Sequence, residues 1–220
     1  MQSESNTKKV VYFVRHGQSV DNVAPVFQSA DCPLSPKGQQ QAKRIADRIS
    51  HLPIEALVTS PLRRAHETAE VISGVIGIKA DVSDLFVERI KPTGLEGKPW
   101  TDAKASALWR EWGNSLFNSG DRVSDGENYD AIVARADRAL EYLNNRAEHS
   151  IVVVTHGYFL RTIIARVLLG DTLTGDSHRR FQTLAAMENT GITVMEYRDA
   201  FEEELCWRLW TYNDHAHFAE

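Results

Sequence analysis

Several things are scarce in this chain, and each scarcity excludes a class of protein. Cysteine occurs twice in 220 residues, as Cys32 and Cys206, with no CxxC pair. That removes a disulfide framework and a cysteine-built zinc knuckle, and it suits a reducing, cytoplasmic compartment. No apolar run approaches the roughly 20 residues a membrane-spanning helix needs. The polar start MQSESNTKK is followed by an apolar run too short for a signal-peptide core. Basic charge is not in excess: 25 Lys plus Arg stand against 30 Asp plus Glu, a formal net charge of -5, with no long like-charged block. Nucleic-acid binding driven by a basic surface is therefore disfavoured. Internal repeats, low-complexity tracts and linker-like segments are absent too. What remains is a chain long enough for one α/β domain with a large core.

The most informative stretch that is present is residues 10–22, VVYFVRHGQSVDN. Five apolar residues read as a strand buried on both faces, as in parallel sheets, and they run straight into Arg15, His16 and Gly17. Folding alone does not call for a cation, an imidazole and a glycine at a core edge. The glycine suits a tight turn or a close approach to a ligand. The theme recurs twice. Residues 54–59 read as a short strand, after which Ser60 and Pro61 are expected to start a helix bearing Arg63, Arg64, Ala65, Thr68, Ala69 and Ile72. Residues 151–154, IVVV, form the third strand and lead into Thr155, His156 and Gly157. The helical pattern of Phe159, Leu160, Ile163, Ile164, Val167 and Leu168 follows, closed by Gly170. In open α/β sheets ligands bind beyond the carboxyl ends of the strands, so the three loops are expected to converge. Arg15, His16, Arg64 and His156 would repel one another without an anion between them, which points to phosphate or sulfate.

Other segments fill in the architecture. Residues 1–9 read as a frayed leader, with residues 10–220 as a single domain. Ser35 and Pro36 form a helix start, and Ala42, Ile45, Ala46 and Ile49 share one face of a helix to about Ser50. Residues 84–126 read as a loop and helical cap over the site, with Trp109, Trp112, Leu108 and Phe117 at near-helical spacing. A long helix to about Arg146 comes next, and two strands around the acidic turn DAFEEE form a hairpin at the sheet edge. The expected fold is α/β: a three-layer sandwich with a mostly parallel central sheet flanked by helices, a small helical cap and a C-terminal edge hairpin.

Taken in order, RHGQSVDN, SPLRRAHETA, the Glu88 region and VTHG resemble the histidine phosphatase superfamily, also called phosphoglycerate mutase-like, over most of the chain from Val10 to about Gly170. The resemblance implies that His16 is a nucleophile that becomes phosphohistidine. It implies that Arg15, Arg64 and His156 hold the phosphoryl group, that Asn22 borders the same pocket, and that Glu88 is the proton donor. Many members place a glycine four residues after that glutamate, whereas here Pro92 stands there and Gly94 comes later. The chemistry fits: guanidinium and imidazole donors stabilise a phosphoryl group in flight, so neither a metal nor another cofactor is needed.

Competing readings of other residues are blander. Arg63 is expected to face solvent, beside Arg64. His66 and Glu67 begin an HExxH-like string that Glu70 breaks. Residues 170–177 imitate a phosphate-binding loop, but Asp176 takes the lysine position. His215 and His217 read as surface or rim residues, and Trp100, Trp109 and Trp112 as a packed cap. Arg89, Lys91 and Lys98 flank the acid and would favour a second anionic group on a small phosphorylated substrate. The function expected first is a metal-independent phosphomonoesterase, because the chain lacks the long arginine-bearing insertion of the family's mutases. The alternatives are a mutase and a non-catalytic phosphate or phosphoprotein binder. Oligomeric state is not legible.

Overall fold

In the computed structural model the described residues are 7–22, 24–199 and 205–218. The strands are β1 (Thr7–Arg15), β2 (Ala56–Thr59), β3 (Ala80–Val82), β4 (Ser150–Thr155), β5 (Ile192–Asp199) and β6 (Leu205–Asp214). The helices are α1 (Pro36–Ser50), α2 (Arg63–Ile76), α3 (Ala103–Ser115), α4 (Tyr129–Asn145), α5 (Gly157–Leu169) and α6 (Gly175–Leu184). One sheet runs in the order β3-β2-β4-β1-β5-β6. Its first four strands are parallel, and β5 and β6 pair antiparallel as the edge hairpin. The acidic turn of that hairpin lies outside the described residues.

Alternation along the strands sorts the core into two layers. Val11 and Phe13 of β1, with Ile151 and Val153 of β4, pack toward α4, α5 and the cap, where Trp112, Ile132 and Phe159 are fully buried. Val14, Val152 and Val154 pack the other way, against Ile45, Ile49 and Ile72 of α1 and α2. Fully burying each such side chain stabilises the fold by roughly 1.5–3 kcal/mol before entropy is charged against it. The parallel register sets Arg15 beside Thr155, so β1 and β4 end together and deliver His16 and His156 to one edge. Sheet order, not chain order, makes these loops neighbours.

Two boundaries and one packing expectation differ from what the sequence suggested. β1 begins at Thr7, inside the expected leader, and Lys9 is buried with its ammonium donating to the carbonyls of Arg146 and Glu148. α2 begins at Arg63 with Leu62 as its cap, and the Ser60 hydroxyl is shared between Leu62 N–H and His156 Nε2. Ser35 does cap α1 as expected, accepting from Gly38 N–H at 3.0 Å. The third difference is in the cap: Trp112 is fully buried, but Trp100 is 56% exposed and does not join it. Neither β3 nor α6 was legible in the sequence. β3 has only three residues, and α6 relies on a capping box between Thr174 and Ser177. Among the described residues no helix is long and apolar enough to cross a membrane.

Candidate active site

The main chain at the end of β1 is held from two sides. His16 N–H donates to Thr155 O at 2.9 Å, and Thr190 N–H donates to Arg15 O at 2.8 Å. The Asn189 amide donates to His16 O at 2.8 Å. Next, Gly17 N–H donates to Thr68 Oγ1 at 3.1 Å, and that hydroxyl donates to Arg64 O at 2.8 Å. Gly17 is required by the scaffold and not by a ligand. A Cβ there would stand 2.6 Å from Gly38 O, and one on Gly38 only 2.0 Å from Gln18 O, because the loop lies directly on the first turn of α1.

This fixed backbone sets the tautomer of His16. Its Nδ1 lies 2.6 Å from Gly17 O. A carbonyl only accepts, so Nδ1 carries the proton and Nε2 keeps a lone pair. Arg64 Nε–H donates to that Nε2 at 3.3 Å. Burial, and then the charges of Arg64 and Arg15, hold the His16 pKa well below the ordinary 6.5. The ring is a neutral imidazole with its basic nitrogen turned toward a guanidinium.

His156 stands with its ring centroid 5.0 Å from that of His16. Its Nε2 is 2.8 Å from Ser60 Oγ, which already accepts from Leu62 N–H at 3.3 Å. With Ser60 Oγ–H donating to Nε2, the imidazole proton sits on Nδ1, a buried atom with no partner among the described residues. Burial and the neighbouring Arg64 and His16 lower the His156 pKa well below 6.5. Arg15 donates through Nη1 to Met187 O, while its Nε is buried and without a partner among the described residues. A Cβ on Gly157 would come 3.2 Å from that Nε, so the glycine lets the guanidinium lie against the start of α5. Arg64 also donates from Nη1 to Ser29 O at 3.2 Å. Two guanidiniums and two imidazoles thus share a buried place with donors to spare, an arrangement an anion would neutralise.

Glu88 reaches the same place from a loop. Its Oε1 accepts from Phe159 N–H at 3.1 Å, in the first turn of α5, and its charge acts on both Arg15 and Arg64. Pro92 lies close to Gly126, where an added Cβ would come 2.8 Å from the proline ring. The loop is held by a buried ion pair, Arg135 to Glu127 at 2.7 Å. Arg135 donates to Leu85 O at 3.1 Å, Val87 O at 2.8 Å and Glu88 O at 3.1 Å, and Glu127 accepts from Ile90 N–H at 3.1 Å. Asn22 ends a 3-10 turn, Val20–Asn22, and its side chain lies outside the described residues. Between residues 21–28 and α3 an open groove of about 450 Å³ is lined by Asp21, Phe27, Gln28, Trp100, Trp109 and Arg110.

A family model described as histidine phosphatase superfamily (branch 1) matches residues 11–209. The chain belongs to that superfamily. It is 28% identical over 211 residues to the probable phosphoglycerate mutase GpmB of Yersinia enterocolitica, covering 94% of each chain. Among solved structures it resembles a phosphoserine phosphatase from Entamoeba histolytica in complex with phosphoserine, with TM-score 0.74 and 23% identity over 96% of this chain and 99% of that one. It also resembles a mycobacterial glucosyl-3-phosphoglycerate phosphatase, with TM-score 0.70 and 24% identity over 93% and 99%. At these identities the structural likeness establishes the fold.

Of the residues singled out from sequence, the superfamily fold brings together Arg15, His16, Arg64, Glu88 and His156. Arg63 faces away, paired with Glu67 at 2.7 Å, and Lys98 is exposed. His217 packs against Arg48 and Thr190, which makes it a tail contact and not a site residue. Sequence reasoning missed Ser60, Thr68, Met187, Asn189 and the Glu127–Arg135 pair. Each acts through a main-chain atom or another side chain, and polar residues in that role carry no periodic signal.

Proposed function

We propose that this chain is a phosphomonoesterase working through a phosphohistidine on His16. The observation that carries the reading is the 2.6 Å contact between His16 Nδ1 and Gly17 O, which leaves Nε2 as a neutral nucleophile inside a ring of cations. A phosphoester dianion entering between Arg15, Arg64 and His156 takes over the Arg64 Nε–H that now rests on Nε2. Substrate binding and nucleophile release are then one event. Nε2 attacks phosphorus, the P–O bond to the leaving alcohol breaks with its electron pair, and Glu88 delivers a proton to that oxygen. Charge developing on the equatorial oxygens meets Arg15 Nε, Arg64 and His156 Nδ1, donors already in place. The carboxylate left on Glu88 then takes a proton from water as its oxygen attacks the phosphohistidine, which returns His16 and releases phosphate.

The test is turnover of p-nitrophenyl phosphate with trapping of an acid-labile phosphoenzyme. Wild type is expected to show both, and His16→Ala neither; phosphoenzyme persisting in the variant would sink the reading. The mutase name of the curated relatives supports a second reading, in which the phosphoryl group returns to another hydroxyl. Phosphate release far faster than transfer to an acceptor alcohol favours the phosphatase.

A further inference from the structure

The end of β1 leans on one short turn, residues 187–191. Met187 O accepts from Arg15 Nη1, and Gly191 O accepts from Arg15 N–H at 3.3 Å. Thr190 N–H donates to Arg15 O and the Asn189 amide to His16 O, both at 2.8 Å. The main chain of the nucleophile is therefore only as well placed as this turn. At its centre Thr190 is fully buried with φ at 60°, in the left-handed region that a β-branched residue rarely adopts. A strained conformation of that kind persists only where its surroundings enforce it.

Those surroundings come from beyond β6, where a 3-10 turn, Ala216–Phe218, brings His217 against Thr190. The partners fix the protons of this contact. Arg48 Nη1 lies 3.2 Å from His217 Nδ1, and a guanidinium only donates, so Nδ1 accepts and the ring proton is on Nε2. The Thr190 hydroxyl lies 2.7 Å from Asn189 O, and a carbonyl only accepts, so the hydroxyl gives its proton there. It accepts in turn from His217 Nε2–H at 3.2 Å. Arg48, His217, Thr190 and Asn189 thus form one directed chain, ending in the residue whose amide holds His16 O. Burial, then the Arg48 charge, keep the His217 pKa at about 4, with His215 and Arg44 acting the same way and Asp214 against them. The ring is neutral near pH 7. Asn213, near the end of β6, steadies the turn at its other end, its Oδ1 accepting from Glu188 N–H at 2.8 Å.

We infer that His217 is a positioning residue for His16: from outside the phosphate cradle it holds the Thr190 hydroxyl, and through it the turn that fixes the main chain of Arg15 and His16. The inference rests on the phosphohistidine reading for the part His16 plays. Packing alone asks only for a ring of this size, whereas the bonded chain asks for a donor at Nε2. The last turn of the chain thereby governs how well its first strand aims the nucleophile.

Two substitutions separate the bond from the packing. His217→Phe keeps the ring volume and loses the donor; His217→Gln keeps an amide N–H for Thr190 and loses the ring. With p-nitrophenyl phosphate the burst rate is expected to fall about tenfold in His217→Phe, the upper size of one neutral hydrogen bond, and His217→Gln to recover most of it. Affinity for inorganic phosphate should change by less than about threefold, because Arg15, Arg64 and His156 keep side-chain anchors of their own. Thr190→Gly, which accepts φ of 60° and has no hydroxyl, should leave His217→Phe without further effect. The ring nitrogen resonances of His16, read by NMR without turnover, should move in His217→Phe and return in His217→Gln. An unchanged burst rate in His217→Phe, an equal loss in both substitutions, a phosphate affinity that falls as far as the rate, or losses that add to that of Thr190→Gly overturn the inference. If wild type forms no phosphoenzyme while the resonances respond as expected, the catalytic reading fails and the positioning of His16 stands.

Discussion

Arg15, His16 and His156 are carried on the ends of two paired strands, whereas Glu88 sits on irregular chain between two single-turn 3-10 helices, Asp84–Phe86 and Thr93–Leu95. The cradle inherits its geometry from the sheet: once β1 and β4 are in register, both imidazoles arrive together and only local bonds are needed to orient them. The acid inherits nothing from the sheet. Its place is set by Arg135 and Glu127, two charges on and just before α4 that bind the loop by its carbonyls and one N–H. One half is positioned by topology, the other by a buried ion pair acting on irregular backbone.

The comparison is tested hardest at Glu88 itself. If Glu88 protonates the leaving oxygen, Glu88→Gln should lower kcat for an alkyl phosphate by about 10²–10⁴-fold. The effect on p-nitrophenyl phosphate should be much smaller in the first step, because p-nitrophenolate departs without a proton. Equal losses for both substrates, measured as the burst rate, would contradict the role. Glu127→Ala should break the same half from a distance. It leaves Arg135 charged, 4% exposed and unpaired, at an expected cost of about 3–5 kcal/mol in chemical denaturation. Its surviving fold should retain phosphate binding at the strand ends while losing alkyl phosphatase activity. A variant that loses phosphate affinity and keeps proton transfer would reverse the division.

Acid separates the halves in another way. His16 and His156 are held neutral by burial and by the arginines, and His178, buried beneath Phe117 and Tyr158, is held at about 4 by burial. In all three the unfolded chain binds protons that the folded chain refuses, so stability falls as pH drops below 6.5 toward the folded pKa. For His178 that window amounts to roughly 3 kcal/mol. His178→Gln should flatten the fall in unfolding free energy between pH 6.5 and 4.5, and an unchanged slope would refute the account. The strand-end half should also stay active below pH 6.5, where a free histidine would already be protonated.

The same division explains what could be read from sequence. Apolar runs ending in RHG and THG state both a buried strand and what it delivers, so most of the sheet, most of the flanking helices and the candidate site residues Arg15, His16 and His156 were legible. β3 was not, since three residues with an exposed Asp81 and Val82 show no pattern. The anchoring of the loop around Glu88 was not legible either, because Pro92 is visible locally while Arg135 lies 47 residues away and looks like one more charge on a helix.

Ser60 marks the boundary between legible and hidden, and it carries the smallest of these effects. In sequence it stands before a proline and reads as a helix cap; in the fold its hydroxyl lies 2.8 Å from His156 Nε2. Ser60→Ala leaves Nε2 of a fully buried imidazole unbonded, and the ring loses its reason to keep the proton on Nδ1. The expected cost in kcat/KM is about 1–2 kcal/mol, or some five- to thirtyfold, with a larger share in phosphate affinity than in leaving-group dependence. Ser60→Thr, which restores the hydroxyl, should recover most of it if the bond and not the volume matters. Should Ser60→Ala instead change the sensitivity to the leaving group, His156 would share in proton transfer, and the line between a topological cradle and a tethered acid would have to be redrawn through the start of α5.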